Sequence, residues 1–84
     1  MKRTAAEPVS VLRWDFHQNR RVLTCAVRAE NNGASFDVTV VPHWDVSATS
    51  IETFDRESGA FARHAEIAMQ LRDAGWVVSR RQAA

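Results

Sequence analysis

The chain has 84 residues, of which 45% are hydrophobic and 25% are charged, and its formal net charge is +1. This length allows a single domain, and this composition is that of a globular protein rather than of a disordered chain. The near balance of charge argues against a dedicated phosphate-binding surface. All basic residues except Lys2 are arginine, a side chain that suits carboxylate, phosphate and aromatic partners.

The cysteine content and the ends of the chain predict a cytoplasmic protein without a cofactor. The single cysteine, Cys25, cannot form an intramolecular disulfide, and no Cys/His spacing typical of zinc sites is present. Residues 1–8 contain basic side chains without an apolar run behind them, which predicts a flexible N-terminal arm rather than a signal peptide. No apolar run approaches the roughly 20 residues that span a bilayer. We therefore expect one domain over 9–80, a tail over 81–84 and no membrane partner.

Three segments of the first half alternate apolar and polar side chains, as half-buried strands do. Their sequences are VLRWDFH, RRVLTCAVRAE and SFDVTVV. A two-residue turn at Gln18–Asn19 would place Trp14 opposite Leu23, and the Asn32–Gly33 pair is typical of a type I′ turn. Both turns put the apolar side chains on the same face, which predicts a three-stranded antiparallel meander.

A fourth strand is expected after the stretch VPHWDVS at 41–47. If PHWD is a four-residue loop, Val41 pairs with Val46, and Ile51 then faces Phe36 on the core side. The β-branched residues of VSATSIET suit an edge strand of the sheet.

The apolar period then changes to 3.6 residues, which predicts a helix from an N-cap at Asp55 to Ala74. Gly75 is typical of the position just after a helix, with Trp76 packing back on the last turn. The stripe that should face the sheet is Ala60, Phe61, His64, Ile67, Ala68 and Leu71. The predicted fold is α+β, a four-stranded antiparallel meander followed by one long α-helix packed on one face. The stretch WVVSR could add a short fifth strand or cover the end of the core.

The position of His64 at the centre of the apolar stripe is unusual for a titratable residue. It could be a buried base or a pH-dependent switch, or it could be a core histidine bonded to a group of a strand or loop. Because the sequence supplies no nucleophile or second ligand beside it, we favour a core histidine whose burial makes stability sensitive to pH.

The second face of the predicted sheet carries charged side chains with small and β-branched residues between them. In the predicted register Arg28 lies opposite Asp37, so this face is either solvated with weak ion pairs or an interface with another protein. Candidates for partner contact are Arg13, Arg28, Thr39 and Trp44, an indole that is unfavourable to leave exposed.

Basic pairs at Arg20–Arg21 and Arg80–Arg81 raise the alternative of nucleic-acid binding. The order of four strands and a helix resembles, in topology, the positive-cofactor-four and Whirly families of dimeric proteins that bind single-stranded nucleic acid. That resemblance implies a basic sheet face with interleaved aromatic residues, whereas Trp14 and Phe16 are expected on the helix side here.

A third alternative is a metal-dependent or acid–base site formed by His17, His43 and Asp45. His17 ends the first strand and His43 opens the loop after the third, so both lie at the same end of the predicted sheet. The second strand separates them by about 10 Å in the lateral direction. A shared metal ion would need bent loops, so this alternative ranks last.

The stretch SIETFDRESGAFARHAEIAMQLRDAGW resembles the C-terminal half of small uncharacterised bacterial proteins that share an F-D…RHAE…LRxxGW pattern. The matching residues are Phe54, Asp55, Arg63, His64, Ala65, Glu66, Leu71, Arg72, Gly75 and Trp76. This resemblance implies no activity. The sequence as a whole predicts a non-catalytic interaction module that forms a homodimer, because a chain of this size buries a modest core.

Overall fold

The computed structural model describes residues 9–83, which form one antiparallel sheet and one α-helix. The elements in chain order are β1 (Val9–Gln18), β2 (Arg21–Glu30), β3 (Ser35–Pro42), β4 (Ser50–Phe54), α1 (Glu57–Asp73) and β5 (Val77–Ala83). The strand order across the sheet is β4-β3-β2-β1-β5. The α+β class is thus confirmed, and the arm expected over 1–8 lies outside the described residues.

The sheet has five strands, so the four-strand prediction is wrong, and of the two alternatives for WVVSR the fifth strand is correct. After α1 the chain turns at Gly75, and β5 pairs antiparallel with β1 on the edge opposite β4. β5 includes residues 81–83, which the sequence assigned to a tail. The strand pattern in the sequence of β5 is weak, because Val77 and Val78 are its only large apolar residues. Most of β5 is exposed at the edge of the sheet.

The β1–β2 hairpin differs by two residues from the predicted register. Gln18 pairs with Arg21 around an Asn19–Arg20 turn, so Trp14 lies opposite Cys25. The φ of Asn19 is +56°, a conformation that asparagine adopts more readily than most residues. Because a two-residue shift preserves side-chain alternation, the apolar face is the predicted one.

β2 and β3 pair in the predicted register, with Val27 opposite Val38. Asn32 and Gly33 have φ values of +58° and +87°, as the two central residues of a type I′ turn do. The N–H of Ala34 closes this turn by donating to the carbonyl three residues earlier, at 3.1 Å.

The register predicted for β4 is wrong by an odd number of residues. β3 runs to Pro42, a 3₁₀ turn occupies Val46–Ala48, and Ile51 pairs with Thr39 instead of Phe36. An odd shift exchanges the two faces of a strand. Ile51 therefore lies on the face away from α1, where it is 58% exposed.

Side-chain hydrogen bonds stabilise the longer β3–β4 connection. The Ser47 hydroxyl donates to Asp45 Oδ1 at 2.6 Å, and the Thr49 hydroxyl donates to the Val46 carbonyl at 2.6 Å. Local bonds of this kind compete with strand pairing. Val46 therefore lies in a turn rather than opposite Val41, and β4 begins only at Ser50.

The N-terminus of α1 is not capped by Asp55, so this prediction is wrong. The N-cap residue is Arg56, which makes no side-chain cap bond. The chain is still outside the helix at Asp55, because the first helical bond at this end runs from the Ala60 N–H to the Arg56 carbonyl at 3.2 Å. Within residues 9–83 no helix has the length and apolar character needed to span a bilayer.

The C-terminus of α1 has the predicted glycine. Gly75 has a φ of +96°, and its N–H donates to the Arg72 carbonyl at 3.0 Å. The N–H of Trp76 donates to the Leu71 carbonyl at 2.9 Å, which completes a Schellman motif. Gln18 Nε2 also donates to the last turn, at the Ala74 carbonyl, and ties the helix end to β1.

The core lies between α1 and one face of the sheet. Its fully buried side chains from the strands are Phe16, Cys25, Val27 and Val38. α1 adds Ala60, His64, Ile67 and Ala68. Phe61 was expected in the same stripe but is 36% exposed, because it lies at the margin of the helix surface that meets the sheet.

Candidate functional site

The side of the sheet that faces away from α1, which we call the open face, contains a hollow of about 190 Å³. Thr24, Ala26 and Thr39 form its floor and are only 4–6% exposed. Arg13 and Arg28 also line it, because long side chains on neighbouring strands stand around the small central ones. Three of the four candidates for partner contact, Arg13, Arg28 and Thr39, are thus brought together.

Thr24 connects an acidic and a basic group at this hollow. Its hydroxyl oxygen lies 2.6 Å from Asp15 Oδ1 and 2.7 Å from His43 Nε2. A hydroxyl has one proton and an ionised carboxylate can only accept, so Thr24 donates to Asp15. The His43 Nε2–H must then donate to Thr24, which fixes the ring orientation and leaves His43 Nδ1 without the proton in the neutral ring.

The guanidinium groups at the hollow have unused donors. Arg28 Nη2 donates to Glu30 at 3.1 Å, whereas Arg28 Nε is buried and has no hydrogen-bond partner among the described residues. Arg13 Nε lies 3.5 Å from Asp15 Oδ1, longer than a good hydrogen bond. Because each guanidinium carries five N–H donors, these two side chains offer more donors than their neighbours accept.

Asp37 lies opposite Arg28, as the sequence predicts. Its carboxylate, however, accepts from the Thr53 hydroxyl at 2.8 Å, and the ion pair of Arg28 is made with Glu30. The register was therefore predictable from the turn, whereas the choice of ion-pair partner was not.

Trp44, the fourth candidate for partner contact, packs at the end of the sheet. Its ring stacks on Trp76 with a centroid distance of 5.9 Å and an interplanar angle of 16°. The Arg21 guanidinium lies 4.7 Å from the Trp44 ring centroid, a cation–π contact. Trp44 remains 45% exposed but is not among the residues that line the hollow.

The four arginines considered for nucleic-acid binding do not share one surface. Arg81 lies on the helix side, 4.6 Å from the centroid of the Trp14 ring. Arg80, the preceding residue of β5, projects to the opposite face because side chains alternate along a strand. Arg20 is in the exposed β1–β2 turn, and Arg21 contacts an indole ring.

His17, His43 and Asp45 make separate contacts. His43 bonds to the Thr24 hydroxyl, Asp45 accepts from Ser47, and His17 is exposed on β1. In the part of the chain that the structure describes, no group of three or more His, Cys, Asp or Glu side chains is placed to hold a metal ion.

His64 is a buried histidine bonded to a strand. It is 2% exposed, its Nε2 donates to the Cys25 carbonyl at 3.2 Å, and its ring meets Trp14 edge-on at 5.2 Å. Burial disfavours the imidazolium and lowers the pKa of His64 below its usual 6.5, while the bond to the carbonyl opposes this shift. Burial also raises the pKa of the Cys25 thiol to about 12, so this thiol is not reactive at neutral pH.

A second surface, which the sequence did not reveal, lies on the helix side. Among residues 9–83, no Cα of α1 lies within 8 Å of a Cα of β1. The resulting helix-side groove has a volume of about 560 Å³ and is lined by Trp14, Ala65, Ala68, Met69, Arg72 and Asp73. Met69 is 61% exposed.

The fifth strand is the signal that could have revealed this groove. Five strands span roughly 19 Å between the outer strand axes, whereas one helix is about 10 Å wide. A single helix therefore covers about half of such a sheet. α1 packs mainly on β2 and β3 and less on β4 and β5, which leaves β1 the least covered strand.

Comparisons of the chain with protein-family models, with curated proteins and with solved structures find no match. The function is therefore inferred from the open face and the helix-side groove.

Proposed function

We propose that this protein is a non-catalytic cytoplasmic interaction module that acts as a homodimer, with two copies in contact through the helix-side groove. The observation that carries the proposal is the incomplete cover of the sheet. α1 leaves a groove of mixed polar and apolar lining that includes Trp14, whose ring also contacts the Arg81 guanidinium, and Met69, which is 61% exposed. Removing such apolar surface from water contributes about 25 cal/mol for each Å².

A second copy of the chain suits this groove because the groove is self-complementary in charge. A two-fold contact places the same patch on both sides, so each patch must supply the partners of its own charged groups. Arg72 and Asp73 provide both signs at one end of the groove. Ala65 and Ala68 are small, and small side chains allow a second helix to approach closely.

Protein contact is better supported than the alternative of single-stranded nucleic-acid binding. The guanidinium groups of Arg21 and Arg81 already lie against indole rings, which leaves them less free to follow a phosphate backbone. Salt-sensitive binding of a labelled oligonucleotide, weakened by replacing Arg20 and Arg21 with glutamine, would favour the alternative.

Sedimentation equilibrium tests the homodimer with a matched pair of variants. Met69 and Ile51 are exposed to similar extents, 61% and 58%, but lie on opposite sides of the sheet. We expect the wild type to dimerise, Met69→Lys to weaken dimerisation by about tenfold or more, and Ile51→Lys to leave it unchanged. A wild type that stays monomeric at high micromolar concentration, or a dimer broken by Ile51→Lys alone, would contradict the proposal.

A further inference from the structure

We propose that the hollow on the open face binds a compact oxyanion, a carboxylate or phosphate group of a small ligand. The hollow is lined by Arg13, Thr24, Ala26, Arg28, Thr39 and His43, among others. This site goes beyond the homodimer and does not depend on it, because the helix-side groove lies on the other side of the sheet.

The carboxylates around the hollow already accept hydrogen bonds. Asp15 accepts from Thr24, Asp37 accepts from Thr53, and Glu30 accepts from an arginine. Two of them are also ion-paired with the arginines of the hollow: Asp15 Oδ1 lies 3.5 Å from Arg13 Nε, and Glu30 Oε2 lies 3.1 Å from Arg28 Nη2. These acceptors are therefore engaged in contacts within the protein.

The donors around the hollow, in contrast, are only partly used. Arg28 donates one hydrogen bond to Glu30, and its buried Nε has no hydrogen-bond partner among the described residues. Within residues 9–83, the polar contact of Arg13 is the long one of 3.5 Å with Asp15. A buried donor without an acceptor is unfavourable, so a ligand that supplies acceptor oxygens is the chemistry that this site lacks. Arginine also matches carboxylate and phosphate oxygens better than any other side chain.

The shape of the hollow restricts the ligand to a small group. Ala26 forms part of the floor between the longer side chains of the lining and is itself only 5% exposed. The hollow is open to solvent and has a volume of about 190 Å³, room for a compact group such as phosphate or a short dicarboxylate.

A two-dimensional amide NMR titration at constant ionic strength tests the site, with inorganic phosphate in one series and succinate in the other. We expect saturable shifts at the amides of Thr24, Ala26 and Arg28 with at least one probe. The tighter probe identifies which oxyanion the hollow prefers. Linear, unsaturated shifts with both probes would overturn the proposal.

Three variants separate a built site from diffuse attraction. Arg28→Gln should weaken binding by about tenfold or more, whereas Arg20→Gln, an equal loss of charge in an exposed turn, should change it by less than about twofold. Ala26→Leu keeps both guanidinium groups but fills the hollow, and it should abolish binding. Equal weakening by Arg28→Gln and Arg20→Gln, or unchanged binding by Ala26→Leu, would overturn the proposal.

The same titration distinguishes failure of this site from failure of the homodimer. Met69→Lys should bind the preferred probe with the affinity of the wild type, because Met69 lies on the helix side. If Arg28→Gln does not give a dispersed spectrum, Ala26→Leu and the conservative Arg28→Lys decide the question. Arg28→Lys keeps the charge but not the planar fork, so it should bind more weakly than the wild type, and binding equal to that of the wild type would overturn the proposal.

Discussion

The two faces of the sheet bury their central side chains in different ways. On the helix side, Val27 and Val38 are 0–1% exposed beneath α1, inside a continuous apolar cluster. On the open face, Thr24 and Thr39 are 4–6% exposed although long side chains rather than a packed helix surround them. Burial by a packed apolar layer stabilises the fold. On the open face, burial leaves polar groups in place, among them Arg28 Nε, which has no hydrogen-bond partner among the described residues.

The largest effect is expected from a cavity on the helix side. Phe16 is fully buried, and Phe16→Ala should lower the free energy of unfolding by about 3–5 kcal/mol because it removes apolar contacts and leaves a cavity. His17→Ala, at the exposed neighbouring position of β1, should change it by less than about 0.5 kcal/mol. Urea denaturation measures both variants. Equal losses of unfolding free energy for Phe16→Ala and His17→Ala would contradict a core that lies only on the helix side.

A smaller loss of stability is expected from a substitution on the open face. Thr24→Val should lower the free energy of unfolding by about 1–3 kcal/mol, because it removes the buried hydroxyl that bonds to both Asp15 and His43. Thr39→Val keeps the shape of a similarly buried side chain and should cost less than about 1 kcal/mol. Denaturation of the two variants side by side is the measurement. Similar losses would contradict a specific role for the Thr24 contacts.

A comparable or smaller loss of stability is expected from a substitution at Gly75, between α1 and β5. Gly75 has a φ of +96°, and a Cβ there would lie 2.8 Å from Gln18 Nε2, so Gly75→Ala should cost about 1–2 kcal/mol. Gly33 also has positive φ, but a Cβ there meets no atom within 4 Å. Gly33→Ala should therefore cost less, and thermal unfolding of both variants would show the difference.

The smallest expected effect concerns pH and the helix side. Because the pKa of His64 is lowered in the folded state, the unfolded chain takes up this proton more readily. The free energy of unfolding should therefore fall as the pH drops below about 6.5 and level off below the folded-state pKa. His64→Gln should remove this part of the pH dependence, while His17→Gln should retain it. Identical pH profiles for the wild type and His64→Gln, from urea denaturation, would contradict this prediction.

Features set by turns and periodicity were predictable from the sequence. Asn32–Gly33 gave the correct β2–β3 register, Gly75 gave the end of α1, and the helical period placed His64 in the core. These predictions succeeded because each depends on local geometry or on a repeated pattern. The correct register also aligned the open-face residues of β2 with those of β3, whereas Arg13 of β1 pairs with Ala26, two residues from the predicted partner.

Features set by individual hydrogen bonds or by weak edge pairing were not predictable. The sequence pattern predicts a short hairpin between β3 and β4, but the loop, which contains the Ser47–Asp45 hydrogen bond, is longer. The register of β4 therefore differs from the predicted one. β5 has too few apolar residues for its sequence to decide between a fifth strand and a cover for the end of the core. The helix-side groove depends on where α1 lies across the sheet, which amphipathic spacing does not specify.

Intermolecular NOEs between labelled and unlabelled copies test the central claim, that the helix side joins two copies while the open face stays free for a ligand. In a mixed sample at millimolar concentration, isotope-filtered NMR should show intermolecular NOEs to the methyl groups of Met69 and Ala65 and to the Trp14 ring. It should show none to the methyl groups of Thr39 and Ile51. Intermolecular NOEs confined to the open face, or none at all, would contradict the account.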